Sequence, residues 1–293
     1  MRIVPGEIKT AQLHQYLLGA VAPRPICFAS TVNANGEVNL SPYSFFNVFG
    51  SNPTTLVFSP SRKVRDNTIK HTLENIYETR EVVINVVNHA MVQHMSLSSC
   101  EYPRGVDEFV KVGFTKLPSE KVRAPRVAES PVQMECRVRD IIETGTEGGA
   151  GNLVICEVLV MHISDAVLNE AGQIDPHKID LVARMGGDFY CRASGAAVFT
   201  VPKPNTELGI GIDQLPEAIR HSKVLTGNHL GLLANVTAIP EPDPAFTDDT
   251  CKNIVQYYAA NPDEMEKEFH WYAAQLLDAG EVSKAWQVLL MGV

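Results

Sequence analysis

The chain has 293 residues, 45% apolar and 20% charged, a mixture that excludes wholesale disorder and gives length for one large domain, or for one domain plus an extension of about 100 residues. Its 25 basic and 34 acidic residues give a net charge of −9, which repels phosphate backbones and argues against general nucleic-acid binding; the basic residues cluster only once, at 62–70. No apolar run approaches the roughly 20 residues of a membrane helix, and residues 1–9 lack the basic head and apolar stretch of a signal peptide. The six cysteines (Cys27, Cys100, Cys136, Cys156, Cys191, Cys251) lie far apart with no Cys-x-x-Cys pair. Reduced thiols and a cytoplasmic location are therefore expected, not a disulfide framework or a zinc ribbon.

The first 200 residues read as strands. A β-branched run at 26–32 closes on Asn33-Ala34-Asn35-Gly36, turn chemistry that tolerates positive φ, and returns through 38–49. Pro42 marks that returning run as an edge strand or a bulge, because proline cannot donate to a ladder. Residues 55–59 and 82–87 are further strands. Between them, Ile69, Leu73, Ile76 and Tyr77 fall at helical spacing and predict a helix over 68–79; a second is expected over 89–97. Residues 131–142 alternate, with Val132, Met134, Cys136 and Val138 on one side and Gln133, Glu135, Arg137 and Arg139 on the other. A period of two with one wet face implies an antiparallel sheet. The glycine-rich stretch 145–151 reads as a mobile hairpin tip, and 153–163, apolar on both faces, as a buried strand. Many short strands with few helices favour a closed or partly closed barrel over a βαβ fold.

After Pro204 the texture becomes helical, so the expected domains are 1–200 and a mainly helical extension, 201–293. Asn261-Pro262-Asp263-Glu264 is a helix start, Met265, Phe269, Tyr272 and Leu276 form one stripe, and Gly280 is a stop. A second helix over 282–290 completes a hairpin in which Trp271 and Trp286 are expected to pack the helices together.

Common chemical motifs are absent: Gly209-Ile210-Gly211 lacks the third glycine of a dinucleotide fingerprint, there is no Walker sequence or nucleophile elbow, and His89 and His94 are wrongly spaced to share a metal. No metal is expected. What remains is a hydroxyl- and amide-rich set at strand ends: Ser30-Thr31, Asn39 to Ser44, Asn47, Ser59-Pro60-Ser61, then Arg62, Lys63, Arg65, Asn67, Thr68, Lys70 and Thr72. With Thr68 as helix cap and Lys70 and Thr72 in the first turn, three donors would meet one anion such as a phosphate. The plainer alternative is a solvated loop with an ordinary cap.

Pro23-Arg24-Pro25-Ile26, Ala29-Ser30-Thr31-Val32 and Asn39-Leu40-Ser41-Pro42-Tyr43-Ser44-Phe45-Phe46-Asn47 resemble the opening of the flavin reductase-like family, the FMN-binding split barrels. The resemblance continues at Asp66-Asn67-Thr68, Lys70-His71-Thr72, Val106-Asp107-Glu108-Phe109, the run from Pro125 to Pro131, and Leu181-Val182-Ala183-Arg184 with Gly186 to Tyr190, covering about residues 15–195. It implies a mainly β fold: a six-stranded antiparallel Greek-key split β-barrel with peripheral helices, homodimeric, with one FMN per subunit near the dimer interface. It places Ser30 and Thr31 beside the flavin, and the backbone of Ser44, Phe45, Phe46 and Asn47 along the ring edge. Ser59, Thr68, Lys70 and Thr72 would hold the ribityl phosphate with Arg65 as helper, and Arg184 and Tyr190 would approach from the C-terminal motif. Many relatives read Lys-Asp-Thr where this chain has Lys70-His71-Thr72.

The implied function is an FMN-dependent oxidoreductase of the NAD(P)H:flavin reductase type, taking electrons from NADH or NADPH and passing them to an acceptor or a partner monooxygenase. The alternatives are a flavoredoxin-like electron carrier or ferric reductase that retains its FMN, and, in another class, a flavin-binding module without catalysis.

Overall fold

The computed structural model describes residues 1–201 and 207–291, in two compact units, Met1–Phe199 and Thr200–Val293. The first unit begins with helix α1 (Thr10–Ala20), then strands β1 (Cys27–Val32), β2 (Val38–Tyr43), β3 (Phe46–Ser51) and β4 (Thr54–Phe58). Helix α2 (His71–Thr79), β5 (Glu81–Val86), α3 (Val92–Leu97) and α4 (Glu108–Val112) follow. Short β6 (Lys116–Leu117) and β7 (Arg126–Val127) precede the long β8 (Val132–Glu143) and β9 (Asn152–Ile163), and the small pair β10 (Val182–Arg184) and β11 (Tyr190–Arg192) closes the unit.

The main sheet has seven strands, not the expected six, in the order β2-β1-β5-β8-β9-β4-β3, with every neighbouring pair antiparallel. The extra count arises because the run read as one interrupted strand at 38–49 is two: β2 and β3 end up on opposite edges of the sheet. Pro42 does lie in an edge strand, opposite Phe28. The register shift between Glu135 and Cys136 adds a residue to β9 and the one between Val138 and Asp140 adds a residue to β8, and such bulges bend and twist a strand.

Both faces of β1 are buried, for different reasons. Cys27 and Ala29 point into a core with Tyr43, Phe58, Ile84, Cys136, Cys156 and, from α2, Leu73 and Ile76. Phe28 points the other way, into a second core that α3 and α4 supply with Met95, Phe109 and Val112. Two sequence expectations fail on this sheet. The "wet" face of β8 is dry at Gln133 and Glu135, because the segment around β6 and β7 covers it: the backbone N–H groups of Glu120 and Lys121 and the His162 ring all donate to the fully buried Glu135 carboxylate. Conversely β9 is only half-buried along its second half, with Met161 and Ile163 exposed.

The glycine tip is also not free: Arg62 N–H donates to Ala150 and Gly149 N–H to Arg62. A Cβ at Gly148 would stand 3.0 Å from the Lys63 carbonyl, so the turn must be glycine to pack this closely.

The second unit is helical among its described residues: α5 (Glu217–Arg220), α6 (Gly227–Leu233), α7 (Asp249–Tyr258), α8 (Pro262–Asp278) and α9 (Val282–Met291). Its core gathers Ile219, Leu233, Phe269, Ala273, Leu277, Trp286 and Leu289. Asn261 caps α8 by accepting the N–H of Glu264, with Pro262 in the first turn. Trp286 is 1% exposed but Trp271 is 50% exposed, so only one of the two tryptophans joins the helices. Among the described residues, no helix is long and apolar enough to cross a membrane.

Candidate functional site

The edge strands β2 and β3 are consecutive in the chain, joined by Ser44 and Phe45 alone, and do not pair with each other. At this break lies a cleft of about 300 Å³. Its lining comes from α1 (His14, Leu18), Arg24, residues 41–45, Ser59, Ser61, Lys70, Ser99, Arg184 and Met185. A smaller cavity of about 60 Å³ shares Ser41, Tyr43, Lys70 and Ser99 with it and reaches inward to Asn39, Thr72 and Glu108.

Arg24, 5% exposed, organises the cleft wall. Its guanidinium donates to the carbonyls of Leu18 (2.6 Å), Val21 and Met185 (3.0 Å), and to Ser44 Oγ (3.3 Å). One side chain thus ties the end of α1, the loop after β10 and the β2–β3 junction together. Burial and the neighbouring Arg184 hold its pKa below the usual arginine value. Backbone hydrogen bonds in both directions between Arg24 and Arg184 hold the two cations side by side. The Arg184 guanidinium lies 4.6 Å from the Tyr190 ring centroid, a cation–π contact, and donates to the Phe189 carbonyl. Gly186 lets the loop after β10 pack closely on the end of α1: a Cβ there would meet Gly19 Cα at 3.3 Å.

Lys70 is half-buried between the two cavities and, among the described residues, has neither an ion pair nor a hydrogen bond for its ammonium. Burial first, then the charge of Lys63, push its pKa down. Such an ammonium gains from a nearby anion.

Of the residues expected at the site, the structure brings Ser44, Phe45, Ser59, Lys70 and Arg184 together on the cleft, with Tyr190 behind Arg184. Others lie elsewhere. Ser30 and Thr31 are fully buried on opposite faces of β1: Thr31 Oγ1 accepts from Asn75 of α2, and Ser30 Oγ has no partner among the described residues. Phe46 packs against the barrel core, and Asn47 is exposed on β3, its side chain turned to Val48 N–H. Thr68 is not a helix cap. Asp66 accepts both its N–H and its hydroxyl, an Asx turn that delays α2 until His71, with Lys70 as the N-terminal flank. Arg65 is exposed and paired with Asp66 and Glu101. Thr72 is 1% exposed and its hydroxyl is engaged inside the protein.

Sequence reasoning gave no site role to Arg24, His14, Leu18 or Met185. The signals for Arg24 are its place in the first block of the family resemblance and between two prolines, a stiff extended segment that gives an arginine a fixed origin. Helix α1 buries no residue completely, which left its pattern weak.

Residues 19–177 match the flavin reductase like domain. The chain belongs to the flavin reductase-like family. An uncharacterized protein of Aquifex aeolicus is 34% identical over 195 residues, spanning 67% of this chain and 97% of that protein. Among solved structures, this flavin reductase-like chain is similar to nitrilotriacetate monooxygenase component B from Bacillus cereus, with 26% identity, a TM-score of 0.64 and coverage of 69% of this chain and 98% of that one. It is also similar to the 2-nitrobenzoate 2-nitroreductase NbaA of Pseudomonas fluorescens, with 27% identity, a TM-score of 0.61 and coverage of 74% and 100%. The family match lies wholly within the first unit, the unit that carries the cleft.

Proposed function

We propose that this chain is a flavin-dependent oxidoreductase that holds FMN in the cleft at the barrel split, takes electrons from NADH or NADPH, and hands them to a small acceptor or a partner oxygenase. One observation carries the reading. In a chain with a net charge of −9, the described cleft lining presents Arg24, Lys70 and Arg184 and no carboxylate. Five serines, Ser41, Ser44, Ser59, Ser61 and Ser99, share that lining. Cations with hydroxyl donors suit a phosphate, and the Phe45 ring with Leu18 and Met185 suits the apolar face of a planar heterocycle.

In this reading Lys70 neutralises the phosphate, the nearby serine hydroxyls donate to its oxygens, and Arg24 holds Ser44 and the backbone around it in fixed orientation. Arg184, stacked on Tyr190, supplies positive charge near the electron-rich ring edge. A bound flavin accepts a hydride from a reduced nicotinamide and returns electrons singly or in pairs, so the protein has to position and bind more than to move protons. The nitrilotriacetate monooxygenase component and the nitroreductase among the similar structures support a redox role. The reading includes a homodimer: among the described residues the outer edge of β3 is unpaired, and it exposes Val48 and Phe49, a surface that proteins generally cover.

Titration of the purified full chain with FMN, FAD and riboflavin, followed by anaerobic addition of NADH or NADPH, tests it. FMN binding with bleaching of the flavin absorbance is the expected result. A protein that leaves all three flavins free in calorimetry ends the proposal, and one that prefers FAD corrects the cofactor.

A further inference from the structure

Beneath the cleft, four buried side chains from β2, α2 and α4 form one hydrogen-bonded chain. Tyr43 Oη donates to Thr72 Oγ1 (2.8 Å), Thr72 Oγ1 to Asn39 Oδ1 (2.5 Å), and Asn39 Nδ2 to Glu108 Oε1 (2.9 Å). Glu108 Oε2 takes the N–H of Leu40 at 3.0 Å. None of the four residues is more than 8% exposed.

The carboxylate fixes the direction of every link. An ionised carboxylate only accepts, so the Asn39 amide nitrogen must face Glu108 and its oxygen must face Thr72. Thr72 therefore gives its single proton to Asn39 and is left to accept from Tyr43. Tyr43 in turn has its only proton committed inward. What this chain offers the cleft is the remaining lone pair of Tyr43, which lines both the cleft and the smaller cavity together with Lys70. The cations there can only donate, so an acceptor held beside them lets the same end of the cleft take both a phosphate and the proton of an adjoining sugar alcohol.

We propose that Glu108 is a positioning residue that, acting through Asn39 and Thr72, fixes this end of the cleft as a hydrogen-bond acceptor for a hydroxyl of the ligand's polyol chain, next to the Lys70 ammonium that takes its phosphate. The proposal rests on the flavin reading above and adds to it the group that recognises the ribityl chain.

The substitution Glu108→Gln inverts the chain without leaving a group unpaired. The Gln amide nitrogen donates to Asn39 Oδ1 and its oxygen accepts from Leu40. Asn39 then donates to Thr72, Thr72 to Tyr43, and the Tyr43 proton turns outward. E108Q is therefore expected to melt close to the native protein while losing the acceptor, and Y43F removes the terminal oxygen directly.

Affinities of the native protein, E108Q, Y43F and the double variant are measured for FMN, riboflavin and lumiflavin, which has the ring but no ribityl phosphate. Each single variant should weaken FMN and riboflavin about tenfold, the effect of one hydrogen bond, and leave lumiflavin within about twofold. The double variant should be no weaker than either single one, since both act at one lone pair. Unchanged riboflavin affinity in E108Q, additive losses in the double variant, or an equal loss for lumiflavin each overturn the proposal while native FMN binding stands. If E108Q does not fold, riboflavin binding by Y43F decides. If the native protein binds no flavin, the flavin reading and the ribityl assignment fail together.

Discussion

Replacing Lys70 with methionine separates the phosphate from the rest of the ligand. The change keeps the apolar stem and comparable volume while removing the one charge that stands half-buried and unpaired among the described residues of the cleft. A hydrogen bond to a charged group contributes about 1.5–3 kcal/mol, so K70M should weaken FMN roughly 10- to 150-fold. Riboflavin, which lacks the phosphate, should change less than about twofold. The comparison is made by quenching of flavin fluorescence at fixed salt, because raised ionic strength would reduce the difference. A pH series adds a second reading. Burial and Lys63 hold the Lys70 pKa below the ordinary 10.5, so its charge is lost earlier than usual as pH rises. Native FMN affinity should therefore fall on the alkaline side before an ordinary lysine would titrate, and binding there should take up a proton, while K70M shows neither. Equal weakening of FMN and riboflavin, or no weakening of FMN, would refute the assignment of Lys70 to the phosphate.

Arg24→Lys offers one ammonium in place of a guanidinium that serves four acceptors, so it should cost about 1–3 kcal/mol in denaturant melts and also weaken FMN, since Ser44 and Met185 lose their common anchor. Phe58→Ala, at a fully buried site in the barrel core, should destabilise the first unit by about 3–5 kcal/mol in the same assay. In the second unit, burial raises the Asp248 pKa, but Lys284 at 3.0 Å, the Tyr272 hydroxyl at 2.8 Å and the Cys251 N–H outweigh it and hold the carboxyl at about 2. A carboxyl depressed in the folded state stabilises above its unfolded pKa and loses that contribution as pH falls, so about 2 kcal/mol should disappear between roughly pH 5 and pH 2. Both tryptophans of the chain, Trp271 and Trp286, lie in this unit, so urea melts followed by their fluorescence should show the slope, and D248N should flatten it.

Local pattern carried the strand content, the Pro42 edge, the start of α8 and the helical texture of the second unit, because each depends on residues within a few positions of one another. It misjudged burial wherever cover comes from a distant segment. The alternation along β8 does describe its two faces, yet the segment carrying Glu120 and Lys121 folds over the polar one and satisfies Glu135 in the dry. Thr68 failed as a cap for a nearer reason: Asp66 competes for its N–H and hydroxyl, and the resulting turn postpones the helix by three residues.

The cleft shows why a site can be less legible than its fold. Its cations stand at positions 24, 70 and 184, separated by intervals with no period, and they meet only because the sheet order sends β2 and β3 to opposite edges while the chain joins them through two residues. That junction leaves Ser44 and Phe45 between strands that do not pair with each other, and backbone groups outside a ladder need other partners. The Phe45 carbonyl takes one from Ser59 N–H, and the Ser44 side chain is held through its hydroxyl, which accepts from Arg24. A fully closed barrel would spend this stretch of backbone on strand pairing. The open one keeps it beside three cations and five serines, and so the break in the sheet and the cleft of the first unit have a single structural origin.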